Sequence, residues 1–164
     1  ILMDKMFGLH HVSALIGMIP LQIGVLLRSN FYSSVLESVG KKVVFSYGCH
    51  FSYHDVSIGD GSKIGYCCTF GKISIGKDVL IGPYCCFISG RNIHYISDPN
   101  VAPINQGGVL RRIVIGDGVY VGAHAVVMND VSAGAVVGAG AVVTKKVQHN
   151  AVVAGNPAIV VKCR

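Results

Sequence analysis

The run Ile115-Gly116-Asp117-Gly118-Val119-Tyr120-Val121-Gly122-Ala123 twice sets a large aliphatic residue before a glycine. Ile115 and Val121 stand six apart, each is followed by glycine, and Val127 continues the step. A helix spaces its apolar residues about 3.6 apart and a simple strand spaces them two apart. A step of six fits neither alone. It fits a short strand followed by a corner, repeated. The glycine after each large residue tolerates close backbone approach and unusual φ.

The same step runs outward in both directions. Upstream it links Phe45 with Phe51, then Ile58, Ile64 and Phe70, then Ile75, Ile81 and Phe87. Downstream it links Val131, Val137 and Val143, then Val153 and Ile159. About six residues per side and three sides per turn predict a coil of about 18 residues. Each large residue points into a triangular core, and each coil pairs with its neighbours through parallel strands. The fold class expected is mainly β: a parallel β-helix shaped as a triangular prism.

A second column supports this register. Cys49, Cys68 and Cys85 each stand four residues after an apolar anchor, where Ser62, Ala125 and Ala141 stand in other coils. Small interior side chains explain these thiols better than a metal or redox role. The six cysteines lack CxxC spacing, which implies a reduced, cytoplasmic setting.

Composition agrees with many short buried strands. The chain is 51% hydrophobic and only 13% charged, which excludes a disordered segment. The formal net charge of +6 suits a polyanionic ligand such as the phosphates of a nucleotide cofactor. No block of five Lys or Arg occurs, so a nucleic-acid partner is not indicated. Residues 1–42 read instead as a helical segment. Leu27, Phe31 and Val35, with Tyr32, Leu36 and Val39 beside them, form one apolar stripe, and Gly40 is a stop. Ser13 to Leu27 is apolar but contains Pro20 and Gln22, and falls short of the ~20 residues of a membrane span. Helices that pack on the domain, or touch the inner face of a membrane, fit better. The domain organisation expected is a helical segment at 1–42 and a β-helix at 43–164, with a loop inserted at 90–112.

The quoted run, with Gly138-Ala139-Gly140-Ala141-Val142-Val143-Thr144-Lys145 and Ala154-Gly155-Asn156-Pro157-Ala158 after it, resembles the hexapeptide-repeat acyltransferases. It is most similar to the galactoside and xenobiotic O-acetyltransferase branch, and the first forty residues look like the entry of polysaccharide-synthesis members. The resemblance implies a left-handed β-helix, a homotrimer with active sites between subunits, and acetyl-CoA as donor. It implies a sugar or surface-polysaccharide precursor as acceptor, and no metal.

Acetyl transfer to an alcohol requires that the hydroxyl lose its proton as it attacks. A neutral imidazole does this at cellular pH. His94 stands at the base of the inserted loop, where the related enzymes carry their catalytic histidine. Asp98 or a carbonyl would orient it, and Asn92 and Tyr95 would touch the acceptor. A backbone N–H on the Gly122-Ala123 turn would meet the developing oxyanion. The resemblance lays the pantetheine arm past Ala123 and Ala139, with Tyr120, Ala141, Thr144, Lys145, Asn156 and Lys162 in the acetyl-CoA set. Where relatives carry Trp, this chain has Tyr120, and Ile159 replaces a residue that is often basic. His124 follows the donor turn. His10 and His11 lie on the helical segment.

Two rival readings share the fold. A γ-carbonic-anhydrase-like enzyme needs three converging zinc ligands, for which His50, His54, His94 and His124 are the candidates. A non-catalytic β-solenoid scaffold keeps the hexads and needs no loop histidine.

Overall fold

The computed structural model describes residues 2–164, and the side chains of residues 8, 9 and 11–164. Ile1 and the side chain of His10 lie outside the described residues.

Two helices open the chain, α1 (Leu2–Gly17) and α2 (Leu21–Val35). Three-strand coils follow. The first is β1 (Ser38–Val39), β2 (Val44–Phe45) and β3 (His50–Phe51). The second is β4 (Val56–Ile58), β5 (Lys63–Ile64) and β6 (Thr69–Phe70), and the third is β7 (Ile73–Ile75), β8 (Leu80–Ile81) and β9 (Cys86–Phe87). A loop then leaves the prism. The fourth coil is β10 (Ile113–Ile115), β11 (Tyr120–Val121) and β12 (Val126–Val127). The fifth turns through a bridge at Val131 into β13 (Val136–Val137) and β14 (Val142–Val143), and the sixth through Val147 into β15 (Ala151–Ala154). Finally β16 (Ile159–Cys163) folds back antiparallel on β15.

The coils stack into three faces. Sheet A is β1-β4-β7-β10, sheet B is β16-β15-β13-β11-β8-β5-β2, and sheet C is β14-β12-β9-β6-β3. The register keeps equivalent residues in column: on sheet B, Val44, Lys63, Leu80, Tyr120, Val136 and Val152 lie in one row. Backbone groups are satisfied coil to coil, as in Val44 N–H to Ser62 O at 3.0 Å and Leu80 N–H to Val119 O at 3.0 Å.

The core is the predicted one. Phe45, Phe51, Ile58, Ile64, Phe70, Ile75, Ile81, Phe87, Ile115, Val121, Val127, Val131, Val137, Val143 and Val153 are all buried. So is the small column of Cys49, Cys68, Cys85, Ser62, Ala125 and Ala141. Phe51, Phe70 and Phe87 stack at 4.7 and 4.9 Å, a spacing set by the rise from coil to coil. Ile159 departs from the pattern at 65% exposure. The chain reverses after β15, so β16 has no enclosed side, and the step of six ends at Val153.

The helices cap the first coil. Tyr32 packs 4.8 Å from both Phe45 and Phe51, and its hydroxyl donates to Cys49 O at 2.8 Å. A solenoid end left open would expose its core, so such a cap is required. The buried row of α2 is Gly24, Arg28 and Tyr32, one position round from the expected Leu27-Phe31-Val35 stripe. Arg28 is the reason. Its Nη1 donates to Ile19 O at 2.7 Å, Gly17 O at 3.3 Å and Ile16 O at 3.4 Å, and its Nε to Phe45 O at 3.0 Å. The guanidinium thus satisfies carbonyls at the end of α1. A side chain on Gly24 would collide with it and with Ile19 O. The helical segment also ends earlier than Gly40: α2 stops at Val35, and Ser38–Val39 already pairs with β4. Among the described residues no helix is long and apolar enough to cross a membrane.

Candidate active site

Three faces make three edges, and the expected base and donor turn fall on two different ones. The edge between sheets B and C carries the turns after β8, β11 and β13: Gly82-Pro83-Tyr84, Gly122-Ala123-His124 and Gly138-Ala139-Gly140. The edge between sheets C and A carries the inserted loop at residues 88–112, then Met128-Asn129-Asp130, then Thr144-Lys145-Lys146.

On the first edge the coils approach closely. A side chain on Gly122 would press on Ala139 N, and one on Gly82 would meet Ala123 N at 2.7 Å. Gly122 N–H is spent on Val137 O at 2.7 Å, and Ala123 O accepts from Gly140 N–H at 2.8 Å. The Ala123 N–H takes no backbone partner among the described residues, so of the two turn donors it is the one left for an oxyanion. Tyr84 and His124 both hold positive φ, 58° and 59°, and their rings stack at 5.0 Å and 10°. Glycine occupies the same corner position in the coils that bear Gly48 and Gly140. Two aromatic side chains in the left-handed region, exposed beside the donor turn, were not singled out as a pair by spacing.

The loop on the second edge is a two-limbed stalk. Arg111 N–H donates to Ser89 O at 2.8 Å, Val109 N–H to Asn92 O at 2.8 Å and Tyr95 N–H to Gly107 O at 2.9 Å. His94 lies between the last two rungs, exposed, opposite Gly108. A side chain on Gly108 would collide with Ile93 O and crowd His94 N, so glycine here lets the limbs close. Asp98 is engaged within the loop tip. Its carboxylate accepts Asn100 N–H at 2.9 Å and its carbonyl accepts Gln106 Nε2 at 2.8 Å, so it ties the loop tip to itself. Asn92 and Tyr95 carry the rungs on either side of His94.

Ion pairs at the stalk's foot were missed by sequence reasoning. Arg111 grips Asp130 through two bonds of 2.9 and 3.0 Å and Asn129 through one of 3.1 Å. Asn129 Nδ2 continues to Thr144 O at 3.2 Å. Arg112 forms a two-bonded pair with Glu37, which holds its guanidinium above the ordinary range, and donates to Asp55 O at 3.3 Å. Lys72, 2.7 Å from Asp55, holds that carboxyl below its usual range. The signal available was the Arg111-Arg112 pair where the insertion rejoins the hexads.

The acetyl-CoA set is only partly gathered. Thr144 and Lys145 line a pocket of about 320 Å³ with Pro157, Ala158 and Ile159. Ala139 and Asn156 are exposed near the first edge, and Asn156 precedes a cis proline. Tyr120 and Lys162 share the outer face of sheet B. The Ala141 side chain is buried in the core, and its carbonyl accepts Val126 N–H at 2.9 Å. Among the described residues no three His, Cys, Asp or Glu converge as a metal site.

Solved structures share this architecture. A maltose O-acetyltransferase from Clostridium difficile 630 superposes with a TM-score of 0.84 at 23% identity, covering 99% of this chain and 87% of that one. A hexapeptide-repeat acetyltransferase from Vibrio cholerae O1 biovar eltor, complexed with acetyl coenzyme A, gives 0.83 at 23% identity, over 98% and 87%. The fold is that of the hexapeptide-repeat acetyltransferases. A galactoside acetyltransferase in complex with coenzyme A superposes with a TM-score of 0.74 at 24% identity, over 99% of this chain and 82% of that one. Among curated relatives, the bifunctional protein GlmU of Corynebacterium diphtheriae is 32% identical over 84 residues, which is 49% of this chain. GlmU of Paenarthrobacter aurescens (strain TC1) is 32% identical over 110 residues, or 62% of this chain. The matched part spans only 17% and 20% of those relatives' lengths. No protein-family profile matches the chain.

Proposed function

We propose that the protein is an acetyl-CoA-dependent O-acetyltransferase acting on a hydroxyl of a sugar or surface-polysaccharide precursor, with His94 as general base. One observation carries the reading. On a fold shared with acetyltransferases complexed with CoA or acetyl-CoA, the coil opens once, and the loop that leaves it presents His94 on a braced stalk.

The imidazole of His94 takes the proton of the acceptor hydroxyl as its oxygen attacks the thioester carbonyl. The Ala123 N–H donates to the negative oxygen that develops. Collapse of the tetrahedral intermediate expels the CoA thiolate, which takes the proton back from the imidazolium. Asn92 and Tyr95 lie where the acceptor would be held. The pantetheine arm follows Ala123 and Ala139, and Lys145 and Lys162 meet phosphates as point charges.

The site is composite in this reading. His94 belongs to the C–A edge and Ala123 to the B–C edge, one sheet apart on the same prism. A ring of three copies would set the stalk of one chain beside the donor edge of the next. Exposed Leu15, Met18, Leu21, Ile23 and Leu26 support a peripheral membrane contact of the helices. Flotation with anionic vesicles tests it, and protein left wholly at the bottom of the gradient would reject it.

The test of the activity is thiol release from acetyl-CoA across a panel of sugar acceptors. His94→Ala is expected to lower turnover by ~10² or more. Full turnover in that variant would remove His94 from the mechanism.

A further inference from the structure

Between the foot of the stalk and the corner beneath it lies an open cleft of about 240 Å³. Arg91, Asn92 and Val109 wall it on the loop, Met128 and Asn129 on the corner, and Arg111 spans the two. The side-chain oxygens of Asn129 and Asp130 at this corner are already engaged. Asp130 gives both oxygens to Arg111, and one of them also accepts Val114 N–H at 2.9 Å. Asn129 Oδ1 accepts from Arg111 and from Asp130 N–H at 2.9 Å, while its Nδ2 is held by Thr144 O.

These bonds make a fixed wall and leave a surplus of donors. Among the described residues Arg91 makes no ion pair, and the Asn92 side-chain amide and Arg111 Nε have no hydrogen-bond partner. A guanidinium offers a planar fork of donors and no acceptor. Its complement is a group with two or three anionic oxygens. Arg91 and His94 stand three positions apart, a backbone span of at most about 11 Å along an extended limb. One sugar ring and its linkage span a distance of that order.

We propose that this cleft binds the anionic group of an acidic acceptor, a carboxylate or a phosphate, while a hydroxyl on the same or the adjoining ring reaches His94. The inference rests on the acyl-transfer reading above and names its substrate class. It makes Arg91 a specificity-determining residue that the fold alone does not require.

The test compares a neutral disaccharide, the disaccharide in which one ring is a uronic acid, and the disaccharide 1-phosphate. Wild type and Arg91→Gln are assayed by thiol release, and binding of each sugar is measured by calorimetry without acetyl-CoA. In the wild type the KM of an anionic sugar should lie at least tenfold below that of the neutral one. Arg91→Gln should bring that ratio towards one, and 0.5 M salt should erode it, about as expected for one screened ion pair. The better of the two anions identifies carboxylate or phosphate as the group held. Equal KM values for neutral and anionic sugars, or a preference that survives Arg91→Gln, would overturn the cleft and leave the acyl-transfer reading intact. Arg91-dependent binding of an anionic sugar with no thiol release would sustain the cleft and overturn acyl transfer. Absence of both binding and release would reject the cleft as well.

Discussion

Arg28 and Cys49 show how single residues are set by the first coil. Arg28 is 1% exposed and meets only carbonyl oxygens. Arg28→Ala removes their donors and opens a cavity, so unfolding in urea should show a loss of at least about 3 kcal/mol. Arg28→Met restores volume without donors and should recover only part of it. Burial pushes the Cys49 thiol up to about 12. A thiol held protonated in the fold contributes stability that is complete below its unfolded pKa of about 8.5 and is lost as pH rises towards 12. Stability should therefore decline over that alkaline window, and Cys49→Ala should flatten the decline. At pH 8 a thiol reagent should label Cys163, which is exposed, and leave Cys49 and Cys68 untouched until unfolding. Early labelling of Cys49 would contradict the burial.

The stalk is the element on which the proposed chemistry turns. Its rungs run Ser89–Arg111, Asn92–Val109 and Tyr95–Gly107, and Arg111 locks the lowest rung to Asn129 and Asp130. The lock is exposed, so its contribution to global stability is at most about 1 kcal/mol. Its effect on position is larger. A displacement of about 1 Å at a reacting group costs up to ~10² in rate. Arg111→Ala should therefore lower turnover about tenfold, with little change in the urea midpoint. Amide exchange across residues 89–95 should quicken in the same variant. Unchanged turnover with faster exchange would show that the loop needs no bracing. Arg111→Lys should rescue poorly, because one ammonium cannot hold Asp130 and Asn129 together as Nη1 and Nη2 do.

At the scale of the whole molecule, the question is whether one prism or two build the site. A chain with His94→Ala lacks the base, and a chain with Ala139→Trp has the donor path obstructed. Each alone should be inactive. Mixed at random in a ring of three, they should restore about a quarter of the wild-type sites, because a site needs one good stalk and one good edge. Mixtures that stay inactive would mean that each chain holds its own complete site.

How much of this was legible in the sequence depends on the range of the contact. The step of six and the small column from Cys49 to Ala141 announced a three-sided β-helix. Each coil repeats one local geometry, so the inward side of every hexad is decided within the hexad. His94 was legible as a loop residue because the hexads lapse around it. Other features depend on segments far apart in the chain. The row of α2 that is buried follows from carbonyls at Ile19 and Phe45 seeking Arg28. Ile159 is exposed because the chain turns back. Arg111 grips a corner of the next coil. Periodicity determined the prism by itself, while the tertiary structure decided what stands on each of its edges, because corner contacts join coils whose residues have no fixed spacing.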